Sequence, residues 1–286
     1  MRLSRLLATL ALLAMLALSA CGEDDEAPTN EAASTPAAPS CEKADLELKT
    51  PGQLTVGTDK PAVPPYFEDD DPTNGNGFES AVAYGVAGEL GFEESEVKWT
   101  VVPFNASYRP GSKDFDFDIN QISITPQRAR AVDFSDPYYT STQAVIAQKK
   151  SPAAGATSLA ELADTQIGVQ IGTTSLDAVS ASIKPTQQPK VFDDSNAVVT
   201  ALKQGQVDAA VVDLPTALYL TAAEIPSATV VGQFEAPGGD EWGLLLEKDS
   251  PLTACVNEAL AKLKEEGGLD QITQQWMGDS AAPELN

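Results

Sequence analysis

Residues 123–139, SITPQRARAVDFSDPYY, carry the strongest indication of how this chain folds and what it does. They follow DFDFDINQI, and together the two segments predict a buried strand that leads into the start of a helix, where Pro126 suits the first turn. Ser123 and Thr125 provide hydroxyl groups. Arg128 provides a planar guanidinium that can hold a carboxylate through two parallel hydrogen bonds. The spacing predicts an anion site at Arg128, and it equally allows an exposed arginine beside a proline turn.

Strands and helices alternate on both sides of this segment. Strands are predicted at residues 53–58, 97–103, 114–124, 141–148, 166–170, 191–192, 207–212 and 242–246. Helices are predicted from residue 80 to a cap at Gly91, from residue 159, and at residues 174–183, 196–204, 252–264 and 269–277. Such alternation predicts an α/β fold with mostly parallel sheets. Apparent crossings at residues 141–148 and 228–234 predict two lobes, the second inserted into the first.

The amino terminus has the pattern of a secretory signal. Arg2 and Arg5 precede an apolar run at residues 6–18, which is too short to span a bilayer. The small residues before Cys21 resemble the bacterial lipobox, which implies removal of residues 1–20 and a diacylglycerol on Cys21. The alternative is an ordinary cleaved signal followed by a chance cysteine.

The segment after the signal is acidic and offers little to bury. Residues 21–45 are rich in alanine, proline, glutamate and aspartate, so we expect a flexible tether. No later segment is long and apolar enough to be predicted as a membrane span.

Charge and composition exclude several classes of function. The chain has 42 acidic and 18 basic residues, a net charge of −24. Such a surface repels phosphate backbones, so we expect no nucleic-acid partner. The chain contains no histidine, which removes Ser-His-Asp and Cys-His chemistry and the commonest metal ligand. We therefore expect no metal and no cofactor.

Two cysteines remain if Cys21 is lipidated. Cys41 and Cys255 lie outside the membrane in this interpretation, and that setting favours a disulfide between them. Two buried free thiols are the alternative. Two thiols without histidine make a poor zinc site.

The segment at residues 123–139 closely resembles the signature of the bacterial extracellular solute-binding proteins, family 3, the amino-acid receptors of ABC importers. The resemblance extends over about residues 52–277. It implies a two-lobed, type II periplasmic-binding-protein-like fold with a hinge. Lobe 1 would comprise residues 46–141 and 235–286, lobe 2 would comprise residues 142–234, and the ligand would lie between them.

The resemblance also implies roles for individual residues. Arg128 would hold the α-carboxylate of the ligand, Thr173 and Thr174 would complete that clamp from the second lobe, and Asp213 would bind the ammonium group. A helix cap at Gly172-Thr173-Thr174 and a solvated strand-end acid at Asp213 are the alternatives.

Further contacts are implied for the first lobe. Asp59 matches a pocket residue, and Ser123 aligns with a hydroxyl or amide contact. Val63 stands where the family usually has an aromatic ring, so we expect Tyr66 or Phe67 to replace the stacking contact. Gln121 replaces what is often a small residue and is expected to project into the pocket, with a core-edge glutamine as the alternative.

The resemblance implies a lipid-anchored receptor on the extracytoplasmic face of the bacterial membrane. It would bind an amino acid or a close derivative and deliver it, as a monomer, to an ABC permease with its ATPase. It would not be an enzyme. Two alternatives remain: an envelope enzyme of the cyclohexadienyl dehydratase type, with Asp59 and Glu79 as an acid–base pair, and a ligand sensor for a signalling receptor.

Overall fold

The computed structural model describes residues 40–278 and 280–286. The predicted signal peptide at residues 1–20, the predicted lipidation site Cys21 and residues 21–39 of the predicted tether lie outside the described residues. Within the described part of the chain, none of the helices is long and apolar enough to cross a membrane.

Ten strands and seven α-helices follow one another along the described residues. The strands are β1 Leu54–Thr58, β2 Val97–Val101, β3 Phe117–Asp118, β4 Asp133–Thr140, β5 Gln143–Gln148, β6 Ile167–Gln170, β7 Lys190–Phe192, β8 Ala209–Asp213, β9 Ala228–Phe234 and β10 Glu241–Leu246. The helices are α1 Phe78–Glu89, α2 Phe104–Ser107, α3 Thr174–Ala178, α4 Ser195–Lys203, α5 Leu214–Tyr219, α6 Thr253–Glu265 and α7 Gly268–Trp276. Single π-helical turns at Val179–Ile183 and Leu220–Glu224 extend α3 and α5.

The strands form two five-stranded mixed sheets, each with helices packed against it. The first sheet has the order β2-β1-β3-β10-β4, and the second has the order β7-β6-β8-β5-β9. In each sheet three strands are parallel, and the remaining two join them in antiparallel pairs. We call the first sheet with α1, α2, α6 and α7 the first half, and the second sheet with α3, α4 and α5 the second half. This architecture confirms the predicted α/β class.

Apolar strand faces hold each half together. In the first half, Leu54, Val56 and Phe117 are fully buried under α1 and α6. α1 begins after Gly77, whose φ of 98° and close approach to Tyr66 leave no room for a side chain: a Cβ would lie 2.4 Å from the Tyr66 carbonyl oxygen. The second sheet buries both of its faces in two separate clusters, as expected for strands covered by helices on each side.

The second crossing between the halves follows β9. Residues 228–234, near which the chain was expected to cross back, form β9, which pairs with β5 over its full length. The return comes later, at residues 235–240. Residues 133–140 were not predicted as a strand, yet they form β4 despite Pro137, because β4 lies at the sheet edge, where a missing N–H removes no ladder bond.

The last residues of the chain lie against the second sheet. Gln233 N–H donates to the Pro283 carbonyl at 2.8 Å, and Leu285 N–H donates to the Gln233 carbonyl at 2.8 Å. The Leu285 side chain is buried beside Gly232. The predicted lobe boundaries, which assign residues 235–286 to lobe 1, do not include this contact and otherwise stay a prediction.

A disulfide joins Cys41 to Cys255 of α6, which confirms the predicted pairing. The chain around Cys41 is ordered as well: Lys43–Asp45 form a 3₁₀ turn, and Lys43 Nζ lies 2.5 Å from Glu96 Oε2. The flexible tether predicted for residues 21–45 therefore does not extend to residue 45.

Replacing both Cys41 and Cys255 with serine should lower the free energy of unfolding by about 2–5 kcal/mol. The disulfide closes a loop with a sequence separation of 214 residues, and cross-links that close long loops remove much entropy from the unfolded chain. Urea unfolding followed by circular dichroism, with the native protein as control, measures the difference. An unchanged midpoint and slope would contradict the expectation.

Candidate functional site

Arg128 lies between the two halves and is almost fully buried. It begins a 3₁₀ turn at Arg128–Arg130 and is 8% exposed. Its guanidinium donates to the carbonyl of Ser123 in the first half at 2.7 Å and to the carbonyl of Gly172 in the second half at 2.9 Å. The group also lies 4.8 Å from the ring centroid of Tyr108, within cation–π distance. Burial lowers the pKa of Arg128, but a guanidinium stays charged at neutral pH.

The turn after β6 faces Arg128 and contains both predicted threonines. Thr174 donates through its hydroxyl to Asp240 Oδ1 at 2.9 Å and lies 3.3 Å from the hydroxyl of Ser123. Thr173 instead caps α3, because its hydroxyl accepts from the Leu176 N–H at 3.3 Å. The structure thus brings Ser123, Arg128 and Thr174 together, whereas the Thr173 hydroxyl serves the helix.

Two acids lie together at the end of β8 and the start of β10. Gln143 donates through Nε2 to Asp213 Oδ1 at 2.7 Å, and the same nitrogen contacts Asp240 Oδ2. Burial, followed by the charge of Asp240, raises the pKa of Asp213 well above its ordinary value. Asp213 is a predicted site residue, whereas Asp240 and Gln143 were missed. The weak signal for Asp240 was its place in the polar run GGDE just before a predicted strand.

Glu79 forms a second acidic position, in the first turn of α1. It is fully buried and accepts from the Gln121 N–H at 2.6 Å, from the Gln121 side-chain amide and from the Tyr138 hydroxyl. Burial raises the pKa of Glu79 to about 7, and these hydrogen bonds act in the opposite direction. Gln121 has a φ of 47°, which for a non-glycine residue is an uncommon left-handed conformation.

The two remaining predicted residues are also bonded within the protein. Tyr66 is buried, and its hydroxyl lies 2.8 Å from Thr216 Oγ1 in the second half. Asp59 accepts from the backbone N–H groups of Lys60 at 2.7 Å and Phe104 at 2.9 Å, one on each carboxylate oxygen. Asp59 therefore fixes the loop at the end of β1.

The positive and negative charges of the site lie in different parts of it. Arg128 with the hydroxyls of Ser123 and Thr174 occupies one part, and Asp213 with Asp240 occupies another. A ligand with a separate anion and cation suits such an arrangement, because each charge leaves water only when it is paired and hydrogen-bonded.

Comparisons with known proteins agree on one family. Residues 54–279 match the sequence profile of the bacterial extracellular solute-binding proteins, family 3. The chain is 30% identical over 236 residues to the L-cystine-binding protein TcyJ of Escherichia coli (strain K12), an alignment that covers 81% of this chain and 85% of that relative.

Two solved structures are similar at 30% sequence identity. One is an ancestral arginine-binding protein bound to glutamine, with a TM-score of 0.66 over 80% of this chain and 100% of that chain. The other is AncCDT-1, an ancestral amino acid-binding protein described as a precursor of cyclohexadienyl dehydratase, with a TM-score of 0.64 over 79% of this chain and 95% of that chain.

Replacing Glu79 with glutamine should stabilise the ligand-free protein at pH 8. Folding raises the pKa of Glu79 from 4.5 to about 7, so the contribution of this group to stability is complete below pH 4.5 and is lost as the pH rises through 7. The shift corresponds to at most about 3 kcal/mol. We expect a gain in unfolding free energy of about 1–3 kcal/mol at pH 8 and a much smaller gain at pH 5.

Urea unfolding at the two pH values measures this difference. Glu265→Gln, which removes the same charge from the exposed side of α6, is the matched control and should change stability little. A gain for Glu79→Gln that is equal at both pH values would show that its carboxylate is not the cause.

Proposed function

Because this chain belongs to the bacterial extracellular solute-binding proteins, family 3, we propose that it is a receptor that binds an amino acid or a close derivative between its two halves. The observation that carries this proposal is the position of a buried guanidinium, Arg128, and a pair of acids, Asp213 and Asp240, on facing parts of the two halves. The named relatives bind cystine, arginine or glutamine, which are all zwitterions.

Arg128 would bind the α-carboxylate. Within the described part of the chain, its guanidinium makes two hydrogen bonds, both to backbone carbonyls. Three of its five N–H donors remain for an anion. The Ser123 hydroxyl lies beside it and can donate to the same carboxylate. The Thr174 hydroxyl, which donates to Asp240 Oδ1 at 2.9 Å, would do so after turning away from that acid.

Asp213 would bind the α-ammonium group, with Asp240 beside it. The two acids share one amide donor, Gln143, which cannot neutralise two carboxylates. A bound ammonium supplies the missing positive charge, and an opposite charge at close range favours the ionised form of Asp213.

Closure of the two halves would complete the site. The hydrogen bonds that join the halves in the described structure link Tyr66 to Thr216, Ser123 to Thr174, and both Arg128 and Tyr108 to the Gly172 carbonyl. We propose a hinge at the crossings near residues 141–142 and 235–240. The lobes on either side of it would be those predicted from the sequence, residues 46–141 with 235–286 and residues 142–234. A ligand drives closure only if it contacts both halves in the closed state.

The cellular context belongs to the same proposal. The receptor would deliver its ligand to an ABC permease with its ATPase, as a monomer held at the extracytoplasmic face of the membrane through a lipid on Cys21. A sensor for a signalling receptor would use the same binding site and differ only in its partner.

We propose that the protein is not an enzyme. AncCDT-1 provides the enzymatic alternative, since it is described as a precursor of cyclohexadienyl dehydratase. An acid–base pair of Asp59 and Glu79 would need free carboxylate oxygens, but both oxygens of Asp59 accept backbone N–H groups. Turnover of prephenate or arogenate by the pure protein would support the enzyme instead.

Arg128→Ala should weaken binding of the cognate amino acid by about 100-fold or more, because truncating one partner of a buried charge pair costs several kcal/mol. Calorimetry of the native protein against the twenty amino acids and cystine first identifies the ligand. Arg130→Ala, an exposed arginine on the same 3₁₀ turn, is the control and should bind normally. Unchanged affinity in Arg128→Ala would refute the proposed carboxylate site.

Tyr66→Phe should weaken binding of the same amino acid by about three- to tenfold. The substitution removes one hydrogen bond that joins the halves in the closed state. The ring remains to pack against Trp242 at 5.7 Å. Tyr84→Phe provides the comparison, since its hydroxyl bonds only within the first half. Equal affinities of the two variants would argue against closure through Thr216.

A further inference from the structure

The region between the two halves holds more buried acid than base. Glu79 and Asp118 are fully buried, and Asp240 is 1% exposed. The described residues contain two buried cations, Arg128 and Lys113. The ammonium of Lys113 contacts the Arg109 carbonyl, and its charge partly offsets that of Asp118 by lowering the pKa of that acid. A ligand with a neutral side chain brings one charge of each sign, so it leaves this surplus of acid unchanged.

Glu79 is held as a fixed acceptor. Three donors from two residues, Gln121 and Tyr138, orient its carboxylate. Gln121, whose φ is left-handed, donates to this carboxylate through both its backbone N–H and its side-chain amide. The Gln121 Oε1 atom makes none of the hydrogen bonds found among the described residues, so it can accept from a ligand.

Asp118 is buried beside Glu79 without hydrogen bonds. Neither of its carboxylate oxygens has a partner among the described residues, and the same is true of Thr58 Oγ1 and Asn120 Nδ2. Gly57 makes room for the Asp118 carboxylate, since a Cβ there would lie 2.5 Å from Oδ2. Burial, followed by the charges of Glu79 and Asp59, raises the pKa of Asp118 well above its ordinary value.

A cluster of this kind is costly to fold. Buried polar atoms are normally hydrogen-bonded, and each unsatisfied carboxyl costs free energy. Two neighbouring carboxyls also repel each other when both are ionised. A bound cation would supply hydrogen-bond donors and positive charge at once.

We propose that the bound amino acid carries a second positive charge on its side chain, a guanidinium or an ammonium group, and that Glu79 and Asp118 form its subsite together with Gln121 Oε1. This inference rests on the proposed function, in which Arg128 and Asp213 hold the α-carboxylate and α-ammonium groups. The side chain of the ligand then extends into the first half, toward the first turn of α1.

A neutral amide side chain is the main rival occupant. It would hydrogen-bond to Gln121 and Glu79, but it would leave the charge surplus and the repulsion between the acids in place. Arginine and citrulline separate the two possibilities, because they have nearly the same shape and differ in the charge of the terminal group.

Calorimetric titration of the native protein with arginine, citrulline, lysine, glutamine and cystine tests the inference. We expect arginine or lysine to bind at least about tenfold more tightly than citrulline and glutamine, the size of one charge-assisted hydrogen bond. Glu79→Gln should reduce the ratio of arginine to citrulline affinity to within about threefold. The matched variant Glu265→Gln should keep the native ratio.

The pH dependence supplies a second readout. A cation favours the ionised form of Glu79, so its binding releases a proton and should weaken as the pH falls from 8 to 5.5. The ionisable groups that face Glu79 are Asp118, Asp213, Tyr66 and Tyr138. The pKa values of all four are raised, so the two acids add to the effect in the same direction. Citrulline binding lacks the contribution of a side-chain cation and should change less.

Each outcome decides between the proposals. Citrulline or glutamine binding as tightly as arginine and lysine would overturn the cationic subsite and leave the receptor function intact. Equally tight binding of cystine would do the same, because its far end carries a carboxylate beside the ammonium and adds no net positive charge. An arginine preference that survives in Glu79→Gln unchanged would also overturn it. If no amino acid binds the native protein, both the receptor function and this inference fail.

Discussion

The burial of one guanidinium governs the arrangement of this molecule. Arg128 is withdrawn from water, yet none of the salt bridges among the described residues involves it. Two backbone carbonyls, one from each half, and two aromatic rings are its partners. Carbonyl dipoles and ring faces compensate a full charge only in part. The arginine therefore links the two halves, and its positive charge remains only partly compensated, so it can still bind an anion.

The buried acids around the site carry negative charge that their neighbours compensate only in part. A single amide nitrogen of Gln143 bridges Asp213 and Asp240, and the side-chain amide of Gln121 donates to Glu79. Neutral amides can orient carboxylates, but they leave the charge in place. The halves thus meet around a positive position and several negative ones, and a ligand of matching polarity relieves both kinds of imbalance when it is enclosed.

The sequence was sufficient to predict what depends on neighbours along the chain. The α/β class followed from alternating apolar runs. The end of α1 near Gly91 and the contact of Arg128 with the Ser123 carbonyl depend on residues only a few positions apart. The contacts of Glu79 with Gln121, 42 residues away, and of Gln143 with Asp240, 97 residues away, arise from topology and were missed. β4 was missed because an edge strand tolerates Pro137. For Thr173 the sequence left a ligand contact and a helix cap open, because both uses need the same hydroxyl.

The order of strands in the second sheet sets how far each site residue lies from the two crossings between the halves. Gln143 begins β5, directly after the first crossing, and Asp240 ends the second crossing, where its carbonyl accepts from the Ser141 N–H at 2.9 Å. Asp213 lies on β8, one strand from β5, whereas Gly172 follows β6, two strands or about 10 Å away. Rotation about the crossings displaces an atom in proportion to its distance from them. If the halves open about these crossings, as proposed, the acid pair would stay assembled near the pivot, whereas the contact of Arg128 with Gly172 would be broken.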